Sequence, residues 1–341
     1  MIGKKVYKKN TRAKVIKTLK KWSGKLIEPK YTKNISSTII KKNIQVLSFT
    51  PQNRVSNLKR LMDSKDIVRI MESHSALTGL IIENLSVIKK NSNFQFDAMW
   101  SSSLTDSAIK GMPDNSSVDF SKRILSLNDM MEVTTKPVVF DADNGGRIEH
   151  LSFLVKSLER LGVSAMVIED KVGLKKNSLF KNQKGTKQDS PLKFGEKIKK
   201  IVQSRGSNDF LVIARIESFI LGKGLKDALK RAEIYSKSGA DAILIHSKEN
   251  VPKEIFSFSK IFKKSKYYIP LVSVPSTYSK VYEKELINNG FKIVIYANHL
   301  LRSIYPAMEN AAKTILKNGR AYELEKKIIP INKIINLIKN D

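Results

Sequence analysis

From Val55 onward the chain alternates between two hydrophobic patterns. Short apolar runs end in polar residues, and longer segments with helical spacing follow each of them. The runs are Ile67–His74, Phe96–Trp100, Pro137–Asp143, Ser164–Asp170, Phe210–Ser218, Asp241–Ser247, Ile269–Pro275 and Lys292–Asn298. They are rich in Val and Ile, the pattern of parallel strands buried on both faces. The intervening periodicity predicts helices such as Ile148–Leu161, Leu225–Ser238 and Tyr278–Asn289. Gly162, Gly239 and Gly290 fall just past these three, where a left-handed cap is wanted.

Eight strand–helix units predict a (β/α)8 barrel, TIM-barrel-like, with the alternation confined to residues 55–341. An open doubly wound sheet is the alternative, and no GxGxxG follows the first run to support it. In a barrel the polar residues that close the strands converge on the C-terminal face, where active sites lie. Here they are His74, Trp100-Ser101-Ser102, Asp141 and Asp143, Glu169-Asp170-Lys171, Arg215 and Glu217, His246-Ser247-Lys248, Pro275-Ser276 and Asn298. So dense a set of carboxylates and cations suits a site for a metal and an anion.

Composition narrows the chemistry. The chain has 341 residues and no cysteine, which excludes a disulfide scaffold, a thiolate metal site and a cysteine nucleophile. A reducing compartment, the cytoplasm, is expected. No apolar run is long enough to span a membrane. The net charge of +30 invites a nucleic-acid reading, but Lys, Ile and Asn are abundant throughout and no nucleic-acid motif accompanies them. Compositional drift therefore explains the charge better than a polyanion surface does. Residues 1–54 stand apart, with fifteen Lys and Arg against one acid, Glu28. A helix over Ala13–Leu26 and a strand at Ile44–Phe49 are expected there. We read this segment as a surface or subunit-contact arm, and an organellar transit peptide is the alternative.

Asp141 and Asp143 sit in FDADNGG, two apart on a strand and so on one face. With Glu169 and Asp170 closing the next strand, they form an oxygen-ligand cluster that favours Mg²⁺ or Mn²⁺ over Zn²⁺. Helix capping is the ordinary alternative for any one of them. EDKVGLKKNS (Glu169–Ser178) opens a long hydrophilic βα loop, the usual place for a lid. Lys175 and Asn177 can close over a phosphoryl group from it; a solvated lysine loop is the alternative. Arg215 and Glu217 again share one face, and Arg215 has the fork for a phosphoryl or carboxylate oxygen pair, or for an internal ion pair with Glu217. His246 ends the sixth strand, as a site residue or as a structural hydrogen-bonder. WSSSL (Trp100–Leu104) offers successive N–H groups for an enolate oxygen and an indole wall for a methylene, with core filling as Trp100's alternative. Asp114, in GMPDNSS, lies on the loop that follows.

With ESHSALTGLI, IARIESFI, GADAILIHSK and IVIYANHLLR, these stretches make the chain resemble the phosphoenolpyruvate mutases of the isocitrate lyase/phosphoenolpyruvate mutase superfamily over about Val55–Leu337. The family's Glu-Asp-Lys, five residues, Asn-Ser signature is intact. The resemblance implies interconversion of phosphoenolpyruvate and 3-phosphonopyruvate with Mg²⁺, a C–P bond-forming isomerase reaction. It implies Asp141 as direct metal ligand, with Asp143 and Glu169 acting through waters. Trp100, Ser102, Ser103 and Leu104 would hold the pyruvyl part, Ser103 standing where some relatives have glycine. Lys175, Asn177, Arg215 and His246 would handle the phosphoryl group, Ser178 would bind substrate beside them, and Asp114 would orient the enolate. A dimer or tetramer with contacts from the C-terminal segment Ile328–Ile338, and a downstream enzyme that consumes phosphonopyruvate, are further expectations. Phosphonopyruvate hydrolase is the nearest alternative activity. Lyases that need a lid cysteine are excluded, and a non-catalytic polyanion-binding barrel is the reading from another class.

Overall fold

The eight apolar runs are the eight strands of one closed parallel barrel. In the computed structural model, which describes residues 9–26, 50–89 and 92–337, they are β1 (Val68–Glu72), β2 (Ala98–Ser101), β3 (Val138–Asp141), β4 (Ala165–Glu169), β5 (Leu211–Ile216), β6 (Ala242–Ile245), β7 (Leu271–Ser273) and β8 (Phe291–Tyr296). Each pairs with its sequence neighbour, and β1 closes on β8 through Val68↔Ile293 and Ile70↔Ile295. The open-sheet alternative is thereby ruled out.

Because side chains alternate along a strand, each strand feeds two cores. One parity fills the barrel interior: Val68, Ile70, Ala98, Trp100, Val139, Ala165, Val167, Ile213, Leu244 and Ile293. The other packs outward on the helices: Met99, Phe140, Met166, Ile168, Val212 and Ile243 against Leu154, Leu158, Phe194, Ile198 and Tyr235. Leu58 and Met62 of helix Pro51–Ser64 join the interior cluster. That helix lies at the barrel's N-terminal end, since the Arg54 carbonyl accepts from Ser164 Oγ (2.6 Å) just before β4 and Lys59 pairs with Asp209 (3.1 Å) just before β5.

The expected helices form with shifted ends. Ile148–His150 is a 3₁₀ turn leading into Leu151–Leu161; the next runs Gly224–Lys237; the third shrinks to Glu283–Asn288. Gly162, Gly239 and Gly290 take positive φ, as the cap positions demand. At Gly162 a Cβ would also sit 2.9 Å from Pro51 Cα, so nothing larger fits without moving backbone.

Residues 1–50 and 51–341 form two compact units. In the first, a helix spans Lys9–Lys20, starting and ending earlier than the expected Ala13–Leu26; the expected strand Ile44–Phe49 lies outside the described residues. At the other end, helix His299–Asn318 has no buried residue. Its Tyr305, Met308 and Leu316 are exposed, as are Ile331 and Ile335 of the short helix Ile331–Ile335, the described helical part of the expected Ile328–Ile338 segment. Among the described residues no helix is long and apolar enough to cross a membrane.

Candidate active site at the C-terminal mouth of the barrel

The interior parity, continued past the strand ends, decides which polar residues reach the mouth. Trp100 and Ser102, Asp141, Glu169 and Lys171, Arg215, Leu244 and His246, and Val274 and Ser276 all carry it, and all line one cavity. Ser103, Leu104, Asp114, Asn177, Ser178, Leu179 and Lys175, from loops and a helix start, complete the wall with Ala297 and Asn298 just past β8. The cavity measures about 60 Å³, room for a few waters, because residues of the β4 loop lie across it. That loop leaves the barrel as a two-residue antiparallel ribbon, Lys171↔Gln188 and Val172↔Lys187, which sets residues 173–186 over the mouth.

Three polar knots hold the lid. Lys175 Nζ donates to Asp114 Oδ1 at 2.7 Å and also to Asp143 Oδ1 and Ser103 Oγ. An ammonium has three N–H donors, so all are taken by protein. Burial would lower the Lys175 pKa, but Asp143, Asp141 and Asp114 hold it above the ordinary lysine value. Asn177 Nδ2 donates to the other Asp114 oxygen at 2.7 Å. Ser178 is saturated as well: its Oγ accepts from Lys171 Nζ and from Arg215 Nη2, each at 2.7 Å, and donates to Glu217 Oε2 at 2.5 Å.

Beneath the lid, Arg215 Nε donates to Glu217 Oε1 at 2.6 Å, and its Nη2 stands 3.1 Å from His246 Nδ1 and 3.4 Å from Glu169 Oε2. Arg215 Nη1 has no hydrogen bond among the described residues, which leaves a fixed cationic donor at the cavity. Burial, then the Arg215 charge, push the His246 pKa below the ordinary histidine value, so the imidazole is neutral at pH 7. Burial would raise Glu217, but Arg215 and Lys171 hold it well below the usual carboxylate range. Burial wins at Glu169, pushing it up to about 7 despite Arg215 and Lys171. Asp141 goes the other way: burial is outweighed by Lys175, Arg123, Arg215 and the Ser103 hydrogen bond, and its pKa is lowered.

The acid cluster needs correction in detail. Asp141 and Glu169 line the main cavity, whereas Asp143 is turned aside to Lys175 and lines an adjoining one. Among the described residues no three acids or histidines gather tightly enough to hold a metal by side chains alone. Asp170, off parity, faces the helix layer, where it accepts from Tyr235 Oη (2.7 Å), Arg231 Nη1 (3.1 Å) and Gln188 Nε2 (2.8 Å). His74 does not line the cavity either; its Nδ1 bonds Glu72, whose second oxygen accepts from Leu300 N at 3.0 Å.

Sequence reasoning missed Arg123. Buried in helix Phe120–Glu132, it donates to Asp106 Oδ2 (3.1 Å), the Asp141 carbonyl (2.5 Å) and the Ser101 carbonyl (3.2 Å), with its guanidinium 4.3 Å over the Phe140 ring. It thus ties the ends of β2 and β3 together beneath Asp141. A lone Arg in an amphipathic helix carries no signal of this. Lys171 and Ser276, named only as strand ends, prove to be cavity residues.

A sequence profile of the phosphoenolpyruvate phosphomutase family matches residues 58–316. The chain belongs to the phosphoenolpyruvate phosphomutase family. It is 34% identical to a Tetrahymena pyriformis phosphoenolpyruvate phosphomutase, covering 86% of this chain and 94% of that protein. Among solved structures, the phosphoenolpyruvate phosphomutase of Streptomyces platensis subsp. rosaceus superposes with a TM-score of 0.76 at 34% identity, covering 83% of this chain and 94% of the other. A phosphonopyruvate hydrolase solved with oxalate and Mg²⁺ superposes with a TM-score of 0.73 at 28% identity, again covering 83% and 94%. Family membership therefore leaves two reactions to weigh for one kind of barrel.

Proposed function

We propose that the protein interconverts phosphoenolpyruvate and 3-phosphonopyruvate, the C–P bond-forming step that begins phosphonate biosynthesis. The observation that carries this reading is the lid: Lys175 and Asn177 are both fastened to Asp114, across a cavity whose base holds Arg215 and neutral His246. A phosphoryl group moving between carbon and oxygen of one substrate needs positioning, charge and dryness more than a nucleophile. In this reading Arg215 Nη1 grips the phosphoryl oxygens, and His246, its Nδ1 3.1 Å from Arg215 Nη2, steadies that fork at the cavity. Trp100, Ser102 and Leu104 shape the pyruvyl end. Ser178 acts through Arg215 and Glu217 rather than on substrate, since its own donor and acceptors are spent.

The donor set fits Mg²⁺ in one specific way. Two buried carboxylates, Asp141 and Glu169, face the cavity, with no thiolate present and no closed three-acid cage among the described residues. That suits a hard ion that keeps several waters and takes few direct protein ligands. Asp141 would bind directly, and Asp143 and Glu169 through waters. When bound, such an ion supplies positive charge for the pyruvyl oxygens as the enolate forms.

Phosphonopyruvate hydrolysis is the second reading, favoured only if water enters beneath the lid. Phosphorus NMR of phosphonopyruvate with protein and Mg²⁺ separates the two. Phosphoenolpyruvate as product supports the mutase; phosphate and pyruvate alone refute it. Asp141→Ala should abolish either activity.

The bare apolar faces of helices His299–Asn318 and Ile331–Ile335 support a homo-oligomer, a dimer or tetramer, since a monomer rarely exposes so much apolar helix. Enol phosphate is the more stable side of the reaction, so a downstream phosphonopyruvate-consuming enzyme completes the reading. Absence of cysteine fits a reducing, cytoplasmic setting.

A further inference from the structure

We propose that the Ser103 hydroxyl is a positioning group that clasps the lid and sets how the transferring phosphoryl group partitions between substrate and water. This rests on the phosphoryl-transfer reading above and deepens it. Ser103 is buried, and its hydroxyl stands between two functional elements. It donates to Asp141 Oδ2 at 2.9 Å, with its own N–H on the same oxygen at 3.3 Å, and it accepts from Lys175 Nζ. The chain Asp141–Ser103–Lys175 therefore joins a barrel strand end to the lid through one oxygen atom.

The clasp matters because of donor counting. The Lys175 ammonium spends its donors on Asp114, Asp143 and Ser103. With the lid down it is a fastener, and among the described residues the cavity cation with a donor left over is Arg215, at Nη1. Asp114 is reached by a second lid bond from Asn177. Ser103 is the contact that pulls Lys175 toward the pyruvyl end of the cavity, which is lined by Trp100, Ser102 and Leu104. Without the hydroxyl, a buried ammonium loses one acceptor and Asp141 loses one donor. A hydrogen bond to a charged group corresponds to roughly ten- to a hundredfold in an equilibrium constant. The open fraction of the lid should rise by about that factor.

Lid opening acts on a defined step. The C–P bond breaks with its electron pair left on the pyruvyl unit as enolate, and the phosphoryl group is transiently metaphosphate-like. With the lid closed, the enolate oxygen supplies the pair for the new O–P bond, giving phosphoenolpyruvate. With it open, water oxygen forms the O–P bond. One water proton then goes to the enolate carbon, giving pyruvate, and the other stays on the phosphate as its remaining hydroxyl.

The test compares wild type with Ser103→Ala and Ser103→Gly, full-length and with Mg²⁺. Phosphorus NMR reads phosphate against phosphoenolpyruvate, and hydrogen exchange reads residues 173–186. We expect the phosphate share to rise at least about tenfold and exchange in the lid to quicken by a similar factor. An unchanged product ratio with unchanged exchange in both variants overturns the clasp, as does faster exchange with an unchanged ratio. Wild type that makes only phosphate overturns the mutase reading instead, and the exchange comparison still judges the Ser103–Lys175 contact. If Ser103→Ala melts early, Ser103→Gly is read the same way.

Discussion

Arg123→Met removes the buried fork that holds β2, β3 and helix Phe120–Glu132 in register. The guanidinium makes three hydrogen bonds, and only 1% of its side chain is exposed. Met fills similar volume, so the main loss is polar. The Ser101 and Asp141 carbonyls each lose a donor, and among the described residues Asp106 keeps Lys110, a partly exposed neighbour, as its ion partner. Breaking a buried pair by removing one partner costs about 3–5 kcal/mol, and the surviving Lys110 contact places this case near the lower end. An unfolding entropy of about 2.1 cal/mol/K per residue, over residues 51–341, gives roughly 0.6 kcal/mol/K. The Tm should therefore fall by about 5–7 °C. Arg123→Lys keeps the charge but not the planar fork, so it should recover less than half of that loss. Thermal unfolding followed by circular dichroism, for both variants beside wild type, is the assay. A Tm within about 1 °C of wild type for Arg123→Met would refute the claim that this residue braces the floor beneath Asp141.

Chelation with EDTA should abolish turnover, and Mg²⁺ or Mn²⁺ should restore it better than Zn²⁺, as an all-oxygen, water-rich shell requires; activity that survives chelation contradicts that shell. Gly145→Ala should destabilise by about 2–3 kcal/mol, since the residue has φ +78° and a Cβ would lie 2.7 Å from Ile168 Cδ1. Unfolding in urea reads it, and an unchanged midpoint counts against the turn geometry. Glu169 gives a pH signature: its folded pKa is raised to about 7 by burial, above its ordinary 4.5, so its contribution is present below pH 4.5 and lost as pH rises through 7. Metal-free wild type should lose urea resistance between pH 5 and 8, and Glu169→Gln should flatten that loss; equal slopes in the two proteins would dismiss it.

Much of the molecule was legible in the residues. The eight apolar runs became the eight strands because runs of β-branched residues bounded by polar ends are stable only when buried on both faces. The mouth residues followed from the period of two, and twelve of the thirteen expected site positions do line the cavity, Trp100, Arg215 and His246 among them. The exception, Asp143, shows where local pattern stops. It shares strand parity with Asp141, but the chain turns just after β3 into positive φ at Asp143 itself, and the carboxylate swings to Lys175. Parity holds only while the backbone stays extended. Asp170 is of the same type as Glu169 but one position off its parity, so the period of two separates them, and only the packed helix layer decides that Asp170 meets Arg231 and Tyr235 there.

What the sequence determined by itself was therefore periodic or compositional: barrel, mouth, lid motif and absence of thiol chemistry. Tertiary structure alone decided who spends which hydrogen bonds. Lys175, expected to meet a phosphoryl group, is bound on every donor to residues 32, 61 and 72 positions away, and Ser178 is equally spent. Arg123 reaches its strand ends from 18 and 22 positions off. Such assignments depend on distances between chain segments that only barrel closure brings together, and a hydrogen bond is decided within a few tenths of an ångström. Residue type and spacing say that a cation stands at the mouth; the packed barrel says which cation is still free to bind.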